Sequence, residues 1–117
     1  MIVVAEDNRL VRELICNALD LHCHRCVAFD TADAAWTYLE ENSGKISLLV
    51  TDVCMPGILD GIDLAKLTVH LLDIPVIIST AWFDNGRLDQ SLECELLLKP
   101  WSIESLIDAC HRKIKTT

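Results

Sequence analysis

Short, nearly unbroken apolar runs alternate with amphipathic stretches five times along this chain, and that alternation limits its fold more than any other feature. Residues 2–5 (IVVA) form an apolar run dominated by β-branched residues. RLVRELICNALDL follows, spacing Leu10, Val11, Leu14, Ile15, Ala18 and Leu19 for one helical face. A second strand is predicted at 24–29, then a helix that opens at Thr31, a good N-cap, and carries Ala35, Trp36 and Leu39 on one side. Ser43 and Gly44 end it. The third strand is predicted at 46–50, with a helix over 62–72 that turns Leu64, Leu67, Leu71 and Leu72 inward. PVIIST (75–80) reads as the fourth strand and 96–98 as the fifth. The last helix is predicted from Ser102, burying Ile103, Leu106, Ile107, Cys110 and Ile114, with Trp101 anchoring it.

Strands of this kind, lacking an apolar–polar alternation, belong to a parallel sheet covered by helices on both faces. No repeat, linker or low-complexity segment interrupts the pattern, so residues 1–117 are expected to form one domain. With 51% apolar residues, a chain of 117 can build a single core. The net charge of -8 argues against a nucleic-acid partner, because neutralising a phosphate backbone takes clustered Lys and Arg. Neither a signal peptide nor an apolar run of about 18 residues is present, so a cytoplasmic protein without membrane insertion is expected.

Six cysteines are scattered through apolar segments and are expected to act as small buried hydrophobes. LHCHRC is the exception, crowding His22, Cys23, His24 and Cys26 together like half of a zinc site. No second cluster completes it. On an extended segment Cys23 and Cys26 would point to opposite faces, which favours ordinary loop and strand residues.

In an open parallel sheet the functional site lies outside the carboxyl ends of the strands. Polar residues gather at those ends here: Glu6 and Asp7 after the first strand, Asp52 after the third, Ser79 and Thr80 at the fourth, Lys99 after the fifth. Glu6 and Asp7 alone would be read as helix-capping charges. Joined by Asp52 they form a carboxylate cluster that calls for a hard cation, and magnesium suits it. Lys99 adds a mobile positive charge suited to phosphate. A carboxylate nucleophile, a metal, a lysine and a hydroxyl are the parts that accept a phosphoryl group as an acyl phosphate.

This set resembles the receiver domain of two-component response regulators, of the chemotaxis-regulator kind, over essentially the whole chain. The acidic pair matches Glu6-Asp7, the phospho-acceptor context D-x-x-M-P-G-x-x-D-G matches Asp52 to Gly61, the switch hydroxyl before alanine matches Thr80-Ala81, and the Lys-Pro pair matches Lys99-Pro100. The resemblance implies a flavodoxin-like, doubly wound five-stranded parallel sheet of order 2-1-3-4-5 with helices on both faces. It implies Mg2+, with Mn2+ as a substitute, held by Asp7, Asp52 and the Cys54 backbone carbonyl, with Glu6 acting through water. It implies a histidine kinase or histidine phosphotransfer protein as donor, Asp52 as acceptor, Thr80 as switch and Lys99 as phosphate contact. The protein would be a phospho-acceptor and not a turnover enzyme.

The departures from that family carry expectations too. Leu96 stands where many relatives have an inward-turning aromatic residue, so coupling through Thr80 is expected to be muted. Asp84-Asn85-Gly86 marks a turn in a shortened stretch, where the family's fourth helix is expected to be short or displaced. Cys54 and Trp82 occupy positions that govern dephosphorylation in the family, and neither orients water well, so a long-lived phosphoryl group is expected. Trp82 and Phe83 could lie at an interface. The region from 82 to 112 corresponds to the family's output face, which would engage a downstream protein target or output domain, or a phosphorylation-dependent dimer. Beyond the last helix only a few residues remain. The chain is therefore expected to act by docking, or to be a receiver segment of a hybrid kinase or longer regulator.

Other classes fit less well. A haloacid-dehalogenase-type phosphohydrolase would need an Asp two residues after the nucleophile, where Cys54 stands. A redox or metal module would rest on Cys23 and Cys26. A degenerate scaffold receiver would not need the complete acceptor set.

Overall fold

The computed structural model describes residues 1–81 and 94–115. Five parallel strands, β1 (Ile2–Ala5), β2 (Cys26–Phe29), β3 (Leu48–Asp52), β4 (Val76–Thr80) and β5 (Glu95–Leu98), form one sheet in the order β2-β1-β3-β4-β5. The helices are α1 (Arg9–Leu21), α2 (Ala32–Asn42), α3 (Gly61–Leu67) and α4 (Ile103–Lys115). The expected doubly wound α/β fold is present.

Each central strand feeds both faces of the sheet, because successive side chains point to opposite sides. Val3, Ala5, Leu49, Val76 and Ile78 pack with α2 and α3 residues such as Ala35, Leu39, Ile62 and Leu64. Ile2, Val4, Leu48, Val50 and Ile77 pack with α1 and α4 residues such as Ile15, Leu19, Leu106 and Cys110. Two cores thus sandwich the sheet, which explains the continuous apolar runs.

The helix starts follow local chemistry. Asn8 caps α1, accepting the Leu10 and Val11 N–H groups at 3.0 and 3.2 Å. Thr31 caps α2 through Ala34 N at 3.1 Å, as its sequence suggested. Asp60 and Asp63 form a reciprocal capping box on α3. Ser102 accepts Ser105 N at 3.1 Å and opens α4.

Several expectations need correction. β3 lies two residues later than predicted, because the 3-10 turn Ser43–Lys45 and the bonds from Ser47 N and Oγ to Met1 O use up the approach. Asp52 is consequently the last residue of the strand, in register with Ser79. Leu10 and Leu14 face outward, 77% and 50% exposed, since only the Ile15–Leu19 side of α1 meets the sheet. Past α3 the chain winds more widely through Thr68–Leu72, which rotates Leu71 out to solvent and leaves Leu67 half-buried. Of the six cysteines only Cys110 is fully buried.

Candidate functional site

Glu6 and Asp7 follow β1 directly, and Asp52 ends β3, the neighbouring strand. Oxygens from the three carboxylates lie within 4.8 Å of one another, the one such group of His, Cys, Asp or Glu among the described residues. Crossing from the far edge of the sheet, Lys99 Nζ lies 3.1 Å from Asp52 Oδ2 and 3.8 Å from Glu6 Oε1. Four of the side chains singled out in the sequence therefore converge, from strand ends that are far apart in the chain.

Two of them, Asp52 and Glu6, are held by backbone N–H groups. Val53 N donates to Asp52 Oδ1 at 2.8 Å, so Oδ2 is the oxygen on the Lys99 side. Asn8 N donates to Glu6 Oε2 at 3.0 Å, while Arg12 Nη1 donates to the Glu6 carbonyl at 2.9 Å. Glu6 and Asp7 do not cap α1; Asn8 does. Glu6 is only 2% exposed. Burial pushes its carboxyl up to about 7, and the nearby Asp52 charge adds to the rise, while the Asn8 N–H and Lys99 pull the other way. Crowded carboxylates of this kind, all hard oxygen donors, fit a small divalent cation that keeps part of its water shell.

Thr80 is buried at the end of β4, and its carbonyl accepts Lys99 N at 2.8 Å. Next to it, Ser79 Oγ accepts the Trp101 indole N–H at 2.8 Å. That bond anchors the entry to α4, as expected of Trp101. The Lys99–Pro100 peptide is cis. Cys54 is exposed, two residues beyond Asp52. Leu96 packs half-buried against the α2–α3 core. Trp82, Phe83 and the Asp84-Asn85-Gly86 turn lie outside the described residues, as does the predicted fourth helix.

The loop after Asp52 is shaped by two glycines of the acceptor motif and by an aspartate that sequence reasoning did not single out. Asp33, in the first turn of α2, accepts Ile58 N at 3.0 Å and Leu59 N at 3.2 Å. Gly57 has φ +115, and a Cβ there would come within 2.1 Å of Asp33 Oδ2. A Cβ on Gly61 would lie 1.5 Å from the Asp52 carbonyl oxygen. The glycines were visible in the sequence within the D-x-x-M-P-G-x-x-D-G motif. Asp33 was not, because its partners lie 25 and 26 residues away.

LHCHRC does not assemble into one site. Cys23 is exposed with φ 64, His24 Nε2 lies 3.0 Å from His111 Nε2, His22 Nδ1 meets the Ala18 carbonyl at 3.0 Å, and Cys26 faces Cys16.

Comparison with known proteins agrees with this geometry. The family model described as the response regulator receiver domain matches residues 2–111. The response regulator protein FleR of Pseudomonas aeruginosa is 33% identical across 95% of this chain, and the two-component response regulator ARR12 of Arabidopsis thaliana is 34% identical across 91%. This chain spans only 24% and 18% of those two proteins. By contrast, it covers 95% of the response regulator receiver protein CpdR of Brucella abortus, at 27% identity across 97% of its own length. Among solved structures, the receiver domain of the hybrid histidine kinase CckA superposes with a TM-score of 0.80 at 29% identity, covering 97% of both chains. A CheY-like receiver domain protein of Methanospirillum hungatei reaches 0.88 at 16% identity and supports the fold alone. The chain belongs to the response regulator receiver family, a class of signalling domains and not of classical enzymes.

Proposed function

We propose that residues 1–117 act as one receiver unit whose Asp52 accepts a phosphoryl group from a histidine kinase or a histidine phosphotransfer protein. The observation that carries this reading is the meeting of Glu6, Asp7 and Asp52 at adjacent strand ends with Lys99 in contact with both Asp52 and Glu6. Val53 N fixes the Asp52 rotamer, leaving Oδ2 as the attacking oxygen. The phosphorus–nitrogen bond of the donor phosphoimidazole breaks as the Oδ2–phosphorus bond forms, and the imidazole leaves with its electron pair. Lys99 then moves from the carboxylate to a phosphoryl oxygen, and the Thr80 hydroxyl binds another, which links the state of Asp52 to β4 and β5.

Asp7, Asp52 and the Cys54 carbonyl would hold Mg2+, with Glu6 acting through water. The ion supplies neutralisation of phosphoryl charge, which Mn2+ could also provide. Cys54 and Trp82 lack groups that orient an attacking water, so the phosphoryl group is long-lived. Its output runs through residues 82–112 to a downstream target, an output domain or a second copy. For the donor, Val11, Leu14, Lys99, Pro100 and Trp101 line an open groove of about 280 Å³ beside the site.

Intact mass after incubation with magnesium and acetyl phosphate tests the proposal. A gain of one phosphoryl group is expected, absent in Asp52→Asn and with chelator. Should a functional cognate kinase also fail to modify the folded protein, the acceptor role is wrong and a scaffold receiver is the better reading. Rapid loss of the label after donor removal would overturn the long lifetime expected from Cys54 and Trp82.

A further inference from the structure

We infer that Cys16 and Cys26 form a reversible disulfide that makes this domain sensitive to oxidants. Their Sγ atoms lie 2.8 Å apart, closer than two non-bonded sulfurs rest and less than an ångström beyond a covalent S–S bond. Cys16 sits in the middle of α1 and Cys26 opens β2, so the bond would join a helix to an edge strand across ten residues of chain. Both are half-buried and both pack on the α1–α4 core, which fixes their approach. This inference is independent of the phosphorylation reading.

The two thiols are not equivalent. The contact with Cys26 and the charge of Arg12, one turn earlier on α1, draw Cys16 below the ordinary thiol range, while the same contact and burial push Cys26 up. Cys16 is therefore the nucleophile. With a hydroperoxide as oxidant, the Cys16 thiolate attacks the peroxide oxygen, the O–O bond breaks, and an alcohol or water leaves after taking a proton. The sulfenic acid at Cys16 is then attacked by the Cys26 sulfur, which loses its proton and displaces water. In sum, two thiols and one peroxide become one disulfide, one alcohol or water, and one further water. The sulfurs lose two electrons and the peroxide gains two. A thiol reductant reverses the step by exchange.

The test treats the full chain with hydrogen peroxide, blocks remaining thiols with N-ethylmaleimide and maps peptides without reduction. A Cys16–Cys26 crosslink should dominate, with a mass loss of about 2 Da for the two hydrogens removed, restored by dithiothreitol. In Cys26→Ser, a sulfenic acid should be trapped at Cys16 by dimedone. Separate labelling of Cys16 and Cys26 by maleimide after peroxide treatment would overturn the inference, as would crosslinks dominated by Cys23 or Cys110. If Cys26→Ser does not fold, the wild-type map alone decides.

Discussion

Strands β1, β3 and β4 and the edge strands β2 and β5 are built from similarly apolar residues, but they meet different surroundings. The central three are buried almost throughout, whereas every residue of β2 is partly exposed and Leu98 in β5 is 58% exposed. A central strand has a bonded neighbour on each side and a helix layer on each face; each edge strand has one neighbour in the sheet. The difference assigns work. The buried centre holds Asp52 and the Glu6-Asp7 pair. The edges carry the groups proposed above to change state, Lys99 after β5 and Cys26 in β2, together with His24 just before β2.

The sharpest way to break this comparison is to truncate one leucine in each region. Leu49→Ala, fully buried in β3, should cost about 2–5 kcal/mol by urea denaturation, and Leu98→Ala no more than about 0.5 kcal/mol. Similar losses at both positions would mean that β5 is as tightly packed as the centre. Next comes the cation at the edge. Lys99→Met removes a positive charge 3.1 Å from Asp52, so Mg2+ affinity should rise by roughly tenfold in a calorimetric titration while phosphorylation slows. Unchanged affinity would show that Lys99 swings clear of the carboxylates in solution.

A smaller and more selective effect is expected at the groove. Leu14→Asp should weaken transfer from a cognate kinase several-fold while leaving acetyl phosphate labelling and the denaturation midpoint almost unchanged, because Leu14 is 50% exposed. Equal losses with both donors would show that the side chain acts on the site itself. The smallest change concerns His24. Burial, then the charges of His111 and His22, lower its pKa below the ordinary 6.5. The unfolded chain thus takes up the proton first on acidification. The stabilisation from neutral His24 is complete above pH 6.5 and fades as the pH falls through that value toward the folded pKa. His24→Asn should flatten the dependence of stability on pH in that window, and an unchanged slope would remove His24 from the account.

Much of the site was legible because strand–helix alternation places strand ends on one edge whatever the details of packing. Asp52, Lys99 and the Glu6-Asp7 pair could therefore be named from position alone, and the family motifs then agreed with them. Local chemistry likewise revealed Thr31 as a cap. Other features depend on neighbours that no window of sequence contains. Asp33 was unremarked because it works on a loop 25 residues ahead. Leu10 and Leu14 fit the helical stripe but lie beyond the width of α1 that the sheet covers, and Leu71 was turned outward by a local widening of the helix.

By itself, then, the sequence determined the α/β class, the two-faced burial of the sheet and the edge on which the acidic residues gather. These follow from unbroken apolar runs alternating with helical stripes of period about 3.6, a pattern that local backbone geometry turns into a sheet buried on both faces. Tertiary structure alone decided that Lys99 touches both Asp52 and Glu6, that Cys26 meets Cys16 rather than Cys23, and that burial holds the Glu6 carboxyl near 7. Distances and desolvation are properties of residues brought together from separate parts of the chain, and they exist only once the sheet has closed its register.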